Sequence, residues 1–248
     1  MLNQGNIPLE HFVRRCAEIG FAAVEIWQRG ELLETLSALC GQHGLRIATI
    51  VGHESLPIGL NDISQHDRIE AELHESIDIA VQYNIPGLIC FSGNRLAGQS
   101  EAQAIAATVQ GLRRAAPYAE SKGVNLNLEL LNSLVDHPGY QADHSAWGLE
   151  VCRQVNSPRV KLLFDIYHMQ IMEGNLIRTI TDNIRWIGHF HTGGVPGRSD
   201  IDETQEIHYG AVCRAIGAAG YELFVGHEYI PKGEVFGSLK RAFEICAA

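Results

Sequence analysis

Residues 162–170 have the sequence LLFDIYHMQ, in which an apolar run ends at an aspartate that is soon followed by a histidine. The apolar side chains around Leu163 and Phe164 are typical of a buried strand. Burying Asp165 and His168 at the end of such a strand costs free energy unless other groups satisfy them. The burial is explained if other strands end in the same way and bring partner groups to Asp165.

Strand-like runs alternate with segments of helical periodicity along the whole chain. The predicted strands are AAVEIW, RIATIVG, GLICFSG, NLNLELLN, KLLFDIYH, IRWIGHFHTGG and ELFVGHEYI. The predicted helices span 6–20, 31–43, 66–83, 101–122, 145–155, 176–183, 205–219 and 235–246. This alternation indicates parallel β/α units, and one (β/α)8 TIM barrel over residues 1–248 is the fold it favours. A doubly wound open sheet is the alternative, but the chain has no G-x-G-x-x-G or Walker pattern to support it.

The count of predicted elements is uneven, with eight helices and seven strands. The chain opens on a helix, and the segment MLNQGN at residues 1–6 is too short and polar for a barrel strand. The sequence therefore predicts a barrel whose first strand is missing or atypical.

Composition restricts the class of protein. The 248 residues carry 19 basic and 29 acidic side chains, a net charge of −10, with no basic run to contact nucleic-acid phosphates. No stretch approaches the roughly 18 apolar residues of a membrane span. The absence of a leader pattern and the scattered cysteines, with no C-x-x-C pair, predict a cytoplasmic protein.

Four consecutive predicted strands end in a residue type that binds metals: Glu129, Asp165, His191 and Glu228. They are 36, 26 and 37 residues apart, about one strand–helix repeat each, so all four return to the same end of a barrel. One such carboxylate alone would be an ordinary cap or surface group. Three carboxylates together repel one another unless a cation lies between them. The pattern predicts a divalent metal site, with Mn²⁺ or Mg²⁺ first and Co²⁺ or Zn²⁺ as alternatives.

Several long stretches resemble the hydroxypyruvate isomerase family of xylose isomerase-like barrels. They are LELLNSLVDHPGYQADH, VKLLFDIYHMQIMEGN, IGHFHTGGVPGR and GHEYIP. The resemblance implies that Glu129, Asp165, His191 and Glu228 bind the metal and that Glu129 and Glu228 form the acid/base pair. It also implies that His168 and Arg198 contact substrate oxygens. Closer hydroxypyruvate isomerases tend to carry glutamine at the position of His191, where ketose epimerases carry histidine.

Four residues are predicted to bind substrate, each with a simpler alternative. Arg198 suits a bidentate grip on a substrate carboxylate, or is a solvated loop arginine. His168 steadies a substrate oxygen, or bonds to a nearby backbone carbonyl. His53 and Asn132 line the pocket, or cap their loops.

Two further residues are expected inside the barrel. His189 shares a strand face with His191 and should lie deeper, in a supporting role. Glu25 in VEIW should be an inward carboxylate in a structural ion pair.

The predicted reaction interconverts hydroxypyruvate and tartronate semialdehyde, or a close short-chain 2-oxo acid and its own isomer, through a metal-stabilised enediolate. The enzymatic alternatives are a ketose 3-epimerase and a 2-oxo-tetronate isomerase. The alternative from another class is a non-catalytic protein on a barrel scaffold. The expected partner is a small-molecule substrate, without nucleic acid or membrane, and an exposed barrel seam favours a homo-oligomer.

Overall fold

Strands and helices alternate through the computed structural model, which describes residues 7–247. The strands are β1 Ala23–Val24, β2 Arg46–Ile47, β3 Ile50–Val51, β4 Gly87–Cys90, β5 Asn125–Glu129, β6 Val160–Asp165, β7 Ile187–Thr192 and β8 Val225–His227. The helices are α1 Leu9–Ile19, α2 Glu31–His43, α3 His66–Gln82, α4 Glu101–Lys122, α5 Ser145–Val155, α6 Ile166–Met172, α7 Leu176–Asn183, α8 Tyr209–Ala218 and α9 Val235–Cys246. Two short 3₁₀ helices, Ile63–Gln65 and Ile184–Trp186, join them.

All strand pairs are parallel, and their order follows the chain. β3 to β8 form one six-stranded sheet, and β1 pairs with β2. The predicted strand RIATIVG forms both β2 and β3, so this segment pairs first with β1 and then with β4. The register sets Glu129 beside Leu163 and Asp165 beside His191. Because the strands are parallel, their carboxyl ends meet at one edge, where the predicted ligands lie.

Among the described residues, the ring of strands is not closed between β1 and β8. Within residues 7–247, no strand pairing joins β1 to β8. An apolar cavity of about 290 Å³ lies there, bordered by Phe12, Phe21, Val24, Val225 and Phe243. The prediction of a missing or atypical first strand concerns residues 1–6, which lie outside the described residues.

Five helices have the predicted bounds: α2, α4, α5, α7 and α9. Helix α4 shows why. Ser100 and Gln103 form a reciprocal capping box at its start, and Gly123, with φ 75°, ends it in the left-handed conformation. In the described part of the chain, no helix is both long and apolar enough to cross a membrane.

Among the predicted bounds that differ from the structure, two have a cause that is visible in the side-chain contacts. The predicted strand KLLFDIYH ends at Asp165, and helix α6 begins at the next residue. Asp165 caps that helix by accepting a hydrogen bond from the backbone N–H of His168 at 3.1 Å. Helix α8 begins at Tyr209 instead of residue 205, because the Gln205 side chain bonds both backbone groups of Ile207 and holds a turn there.

Candidate metal centre and active site

Four side chains converge at the carboxyl end of the barrel, and we call them the carboxylate cluster: Glu129, Asp165, His191 and Glu228. Each offers a ligand atom, and these atoms lie within 4.8 Å of one another. His191 Nδ1 is 3.5 Å from Glu129 Oε1, 4.0 Å from Asp165 Oδ2 and 3.1 Å from Glu228 Oε2. All four residues are buried, the most exposed being Glu228 at 9%. The structure thus brings together the four residues that the strand ends single out.

Two atoms at the centre of this cluster are unpartnered. Within residues 7–247, Asp165 Oδ2 and His191 Nδ1 have no hydrogen-bond partner. The approach of His191 Nδ1 to Glu228 lacks the alignment of a hydrogen bond. Leaving a buried polar atom unpaired costs about 1–3 kcal/mol. Because both atoms face the same point, together with two more carboxylates, the donor set fits a divalent metal ion.

The electrostatics of the cluster show an excess of negative charge. Burial raises the pKa of Glu129, and it raises the pKa of Asp165 to about 6. Burial acts on Glu228 in the same direction, but His191 and Arg198 outweigh it and lower the pKa of Glu228 to about 2. Burial lowers the pKa of His191, yet Glu25 and Glu228 more than offset this and leave it well above the usual value. The cluster therefore attracts positive charge.

A second group of ionisable side chains lies on the other side of the same imidazole. Glu25 Oε1 is 2.6 Å from His189 Nε2, and Glu25 Oε2 is 3.1 Å from His191 Nε2. We call Glu25, His189 and His191 the Glu25 triad. The inward carboxylate predicted at Glu25 is present, and its hydrogen-bond partners are the two strand histidines.

His168 is fully buried beside the cluster and is oriented by Asn132. The Asn132 Oδ1 atom accepts hydrogen bonds from the backbone N–H groups of Val135 and Asp136, which turns its amide nitrogen toward His168. Asn132 Nδ2 lies 2.6 Å from His168 Nδ1, so Nδ1 is the acceptor and the ring proton sits on Nε2. His168 Nε2 lies 3.6 Å from Asp165 Oδ2 and has no hydrogen-bond partner within residues 7–247. It is a free donor at the edge of the cluster.

Two members of this network, Asp136 and Tyr167, were not predicted from the sequence. Asp136 Oδ2 accepts hydrogen bonds from Asn132 Nδ2 at 2.6 Å and from the Tyr167 hydroxyl at 2.8 Å. Asp136 lies in the turn VDHPGY and Tyr167 precedes His168, so proximity in sequence to predicted site residues was the only available signal.

Arg198 reaches into the site from the loop after β7. Its guanidinium Nη2 donates to Glu228 Oε2 at 2.6 Å, and its side chain is 23% exposed. The Arg198 backbone has φ 50°, a left-handed conformation that is uncommon for a side chain of this size. Its carbonyl accepts a hydrogen bond from Ile230 N–H at 2.8 Å, which helps to hold this conformation. Such strain concentrates at functional positions, in agreement with a role for Arg198 in the site.

His53 differs from the other predicted substrate contacts. Its Nδ1 lies 3.2 Å from the Glu54 carbonyl, and its Nε2 accepts from the backbone N–H of Phe91 at 2.9 Å. Burial lowers the pKa of His53 to about 4, so the ring is neutral and both nitrogens are engaged. This geometry favours the alternative role for His53, in which it fixes the loops after β3 and β4, because no ring nitrogen is left for a substrate.

Residues 13–244 match the sequence model of the xylose isomerase-like TIM barrels. Because the match spans nearly the whole chain, the protein belongs to this family, and the predicted barrel fold is confirmed.

Curated relatives narrow the class of enzyme. A protein of Danio rerio named "Putative hydroxypyruvate isomerase" is 30% identical over 242 residues, which cover 92% of this chain and 86% of the relative. A protein of Haemophilus influenzae named 2-oxo-tetronate isomerase is 28% identical over 246 residues, covering 94% of this chain and 92% of the relative. The resemblance to hydroxypyruvate isomerases is confirmed, and the protein is an isomerase.

Among solved structures, an AP endonuclease of family 2 from Brucella melitensis superposes with a TM-score of 0.84 at 23% identity. The superposition covers 98% of this chain and 95% of the other. At this identity the likeness establishes the shared fold alone.

Proposed function

We propose that the protein interconverts hydroxypyruvate, or a close short-chain 2-oxo acid, with its aldehyde isomer at the carboxylate cluster. The observation that carries this proposal is the convergence of the unpartnered Asp165 Oδ2 and His191 Nδ1 atoms with two buried glutamates. Oxygen-rich donors of this kind suit Mn²⁺ or Mg²⁺ first.

The four cluster residues would hold the ion as ligands. A bound divalent ion supplies Lewis acidity, polarising the substrate carbonyl and stabilising negative charge on its oxygen. Glu129 and Glu228 are also the proposed acid/base pair, which is the role that the resemblance to hydroxypyruvate isomerases implies for them.

The proton transfers follow from the two isomers. One glutamate takes a proton from C3 of hydroxypyruvate, the carbon that carries the hydroxyl. The electron pair of the broken C–H bond forms a C2–C3 double bond, and the carbonyl electrons move to the oxygen on C2, giving an enediolate. The other glutamate delivers a proton to C2, and the proton of the C3 hydroxyl moves to the oxygen on C2. The product is tartronate semialdehyde, with an aldehyde at C3 and a hydroxyl at C2.

Two side chains are proposed to hold the substrate. His168 offers its Nε2–H to a substrate oxygen, since Asn132 occupies the opposite ring nitrogen. Arg198 offers a guanidinium to the substrate carboxylate, which it would grip with two parallel hydrogen bonds. Its Nη2 bond to Glu228, one of the two proposed acid/base residues, supports this role.

A second candidate is a 2-oxo-tetronate isomerase, which the similarity to the Haemophilus influenzae relative favours. The same cluster and the same proton transfers would serve a substrate one carbon longer. A ketose 3-epimerase differs more, because its substrate has no carboxylate for Arg198. A non-catalytic scaffold would not depend on a metal ion at all.

The test is turnover of hydroxypyruvate by chelator-stripped protein, with and without added Mn²⁺ or Mg²⁺, beside a four-carbon 2-oxo acid and a ketose. We expect metal-dependent turnover of one of the two acids and a fall of at least tenfold in kcat/KM for the acid in Arg198→Met. If the protein prefers the ketose, and Arg198→Met has the same kcat/KM as the unmodified protein, the substrate is a sugar and not an acid. Tight metal binding without turnover of any substrate would contradict the enzymatic proposal, and no metal binding would contradict the site. Cytoplasmic location and a homo-oligomeric state stay predictions.

A further inference from the structure

Glu25 lies directly after β1 and extends beneath the carboxylate cluster. Its side chain is 12% exposed and contacts two rings on β7, with Oε1 on His189 Nε2 and Oε2 on His191 Nε2. The two imidazoles stand nearly perpendicular, at 86°, with their centroids 5.0 Å apart. One carboxylate therefore holds both histidines through separate oxygens.

This contact determines which nitrogen of His191 faces the carboxylate cluster as a lone pair. A carboxylate accepts hydrogen bonds, so the ring nitrogen that meets Glu25 must donate. The His191 proton facing Glu25 is therefore on Nε2. A neutral His191 then presents the Nδ1 lone pair to Glu129, Asp165 and Glu228, which is the form that binds a metal.

The shortest contact in the Glu25 triad favours a hydrogen bond over a second metal site, although the three residues lie close enough together to be candidate ligands. Ligands on one ion at about 2.0–2.1 Å are about 3 Å or more apart in tetrahedral or octahedral geometry. The 2.6 Å between Glu25 Oε1 and His189 Nε2 is the length of a charge-assisted hydrogen bond instead.

The neighbouring strand leaves room for the Glu25 carboxylate. Gly226 on β8 is the register partner of His191, and a Cβ atom on Gly226 would overlap Glu25 Oε1. A glycine at this position thus permits Glu25 to reach the underside of the His191 ring.

We infer that Glu25 is a positioning residue that fixes the His191 ring and its tautomer, so that Nδ1 is directed at the metal, with His189 anchoring the second oxygen of Glu25. This inference rests on the proposed function, since it deepens the same site. Groups that orient a metal-binding histidine from behind typically contribute 10- to 100-fold to metal affinity.

The first measurement is the tautomer of His191 in the unmodified protein. Protein with ¹⁵N-labelled histidine is loaded with Mg²⁺ or Zn²⁺, and long-range ¹H–¹⁵N correlations report which ring nitrogen carries the proton. We expect Nε2 to be protonated and Nδ1 to change its shift when metal is added. A proton on Nδ1 in the loaded protein would overturn the inference, and this result needs no variant to fold.

The second measurement is the Mn²⁺ dissociation constant of Glu25→Gln, by titration calorimetry, beside the exposed control Glu222→Gln. We expect 10- to 100-fold weaker binding in Glu25→Gln and none of this loss in the control. Gly226→Ala, which changes no charge, should weaken binding in the same direction by displacing Glu25.

The outcomes separate the two proposals. Tight Mn²⁺ binding that is equal in the unmodified protein and in Glu25→Gln overturns the positioning role and leaves the proposed function standing. Two Mn²⁺ ions per chain, with one lost in Glu25→Gln, would make the Glu25 triad a metal site and also overturn the inference. If the unmodified protein binds no Mn²⁺, the proposed function is contradicted, and the inference, which rests on it, is contradicted too.

Discussion

The two ring nitrogens of His191, Nδ1 and Nε2, lie on opposite sides of the imidazole, here called the Nδ1 face and the Nε2 face. Both contact carboxylates, but the carboxylates are arranged differently on the two sides. On the Nδ1 side, three carboxylates surround one nitrogen, and both Asp165 Oδ2 and His191 Nδ1 lack partners within residues 7–247. On the Nε2 side, one carboxylate serves two imidazoles at 2.6 and 3.1 Å. On the Nδ1 side hydrogen-bond acceptors outnumber donors, so a cation is needed to satisfy them. On the Nε2 side each contacting carboxylate oxygen has its own imidazole donor, so the hydrogen bonding is satisfied.

The electrostatics of the two faces agree with this difference. The pKa of Glu129 is raised by burial, without enough positive charge nearby to offset it. Burial should also raise the pKa of Glu25, but His189 and His191 hold it well below the usual value. Burial acts on both carboxylates in the same direction, and the partner groups decide whether the net pKa is raised or lowered. This comparison predicts that substitutions on the Nδ1 face affect chemistry and metal binding, whereas those on the Nε2 face also affect stability.

The largest expected effect is that of Glu129→Gln on turnover. Glutamine has nearly the same shape but cannot exchange the proton, and loss of a general acid/base group costs about 10²- to 10⁴-fold. The measurement is kcat with saturating metal, with the exposed Glu222→Gln as the matched control. If kcat of Glu129→Gln is within threefold of that of the unmodified protein, Glu129 takes no part in the proton transfers.

On the Nε2 face, His189→Ala should lower the free energy of unfolding of the metal-free protein. It leaves one Glu25 oxygen without its 2.6 Å hydrogen-bond partner, and a buried polar atom left unsatisfied costs about 1–3 kcal/mol, or more when its group is charged. Urea unfolding of the metal-free protein measures this, beside the exposed His11→Ala. A loss below about 1 kcal/mol would show that the Glu25 triad is not a stabilising pair.

Much of the fold could be predicted because its signals are local. Helix α4 begins at a capping box and ends at Gly123, and both features are visible in the sequence. Helix α6 was missed because the apolar run of β6 continues into it without a turn residue, and only the Asp165 cap marks the change. Local patterns thus fix elements where the boundary residue is distinctive.

The site residues likewise include some that the sequence predicts and others that it does not. The strand-end positions of Glu129 and Asp165 could be predicted to converge, because parallel strands bring their carboxyl ends together. The partners of Glu25 could not be identified, since they lie 164 and 166 residues away along the chain. Likewise, His53 resembled a pocket residue until its bonds to backbone groups were visible.

A change on the Nδ1 face that keeps the cap should separate metal binding from stability. In Asp165→Asn the side-chain oxygen can still accept from His168 N–H, while one repelling charge is removed. The metal-free variant should therefore unfold at the same or a higher denaturant concentration. The unmodified protein should gain about 2.7 kcal/mol when Mn²⁺ is present at 100 times its dissociation constant, and Asp165→Asn should gain far less at that concentration. Equal stabilisation of both proteins by Mn²⁺ would exclude Asp165 as a ligand.

The smallest expected effect concerns the orientation of His168. In Asn132→Asp, one oxygen can still accept from the backbone N–H groups of Val135 and Asp136. The other oxygen replaces the donor that faces both His168 Nδ1 and Asp136 Oδ2, so two carboxylates then compete for a proton there. The His168 proton should then move to Nδ1, and the Nε2 atom would lose the hydrogen that it offers to substrate.

Losing one such hydrogen bond is worth about 1.4 kcal/mol, so kcat/KM should fall about tenfold while the Mn²⁺ dissociation constant stays nearly unchanged. Steady-state kinetics and the ¹⁵N shifts of His168 measure the two consequences together. A shifted proton with unchanged kinetics would show that His168 does not donate to substrate. A tenfold loss of metal affinity would instead show that the Asn132–His168 contact supports the carboxylate cluster, as Glu25 does from the opposite side of His191.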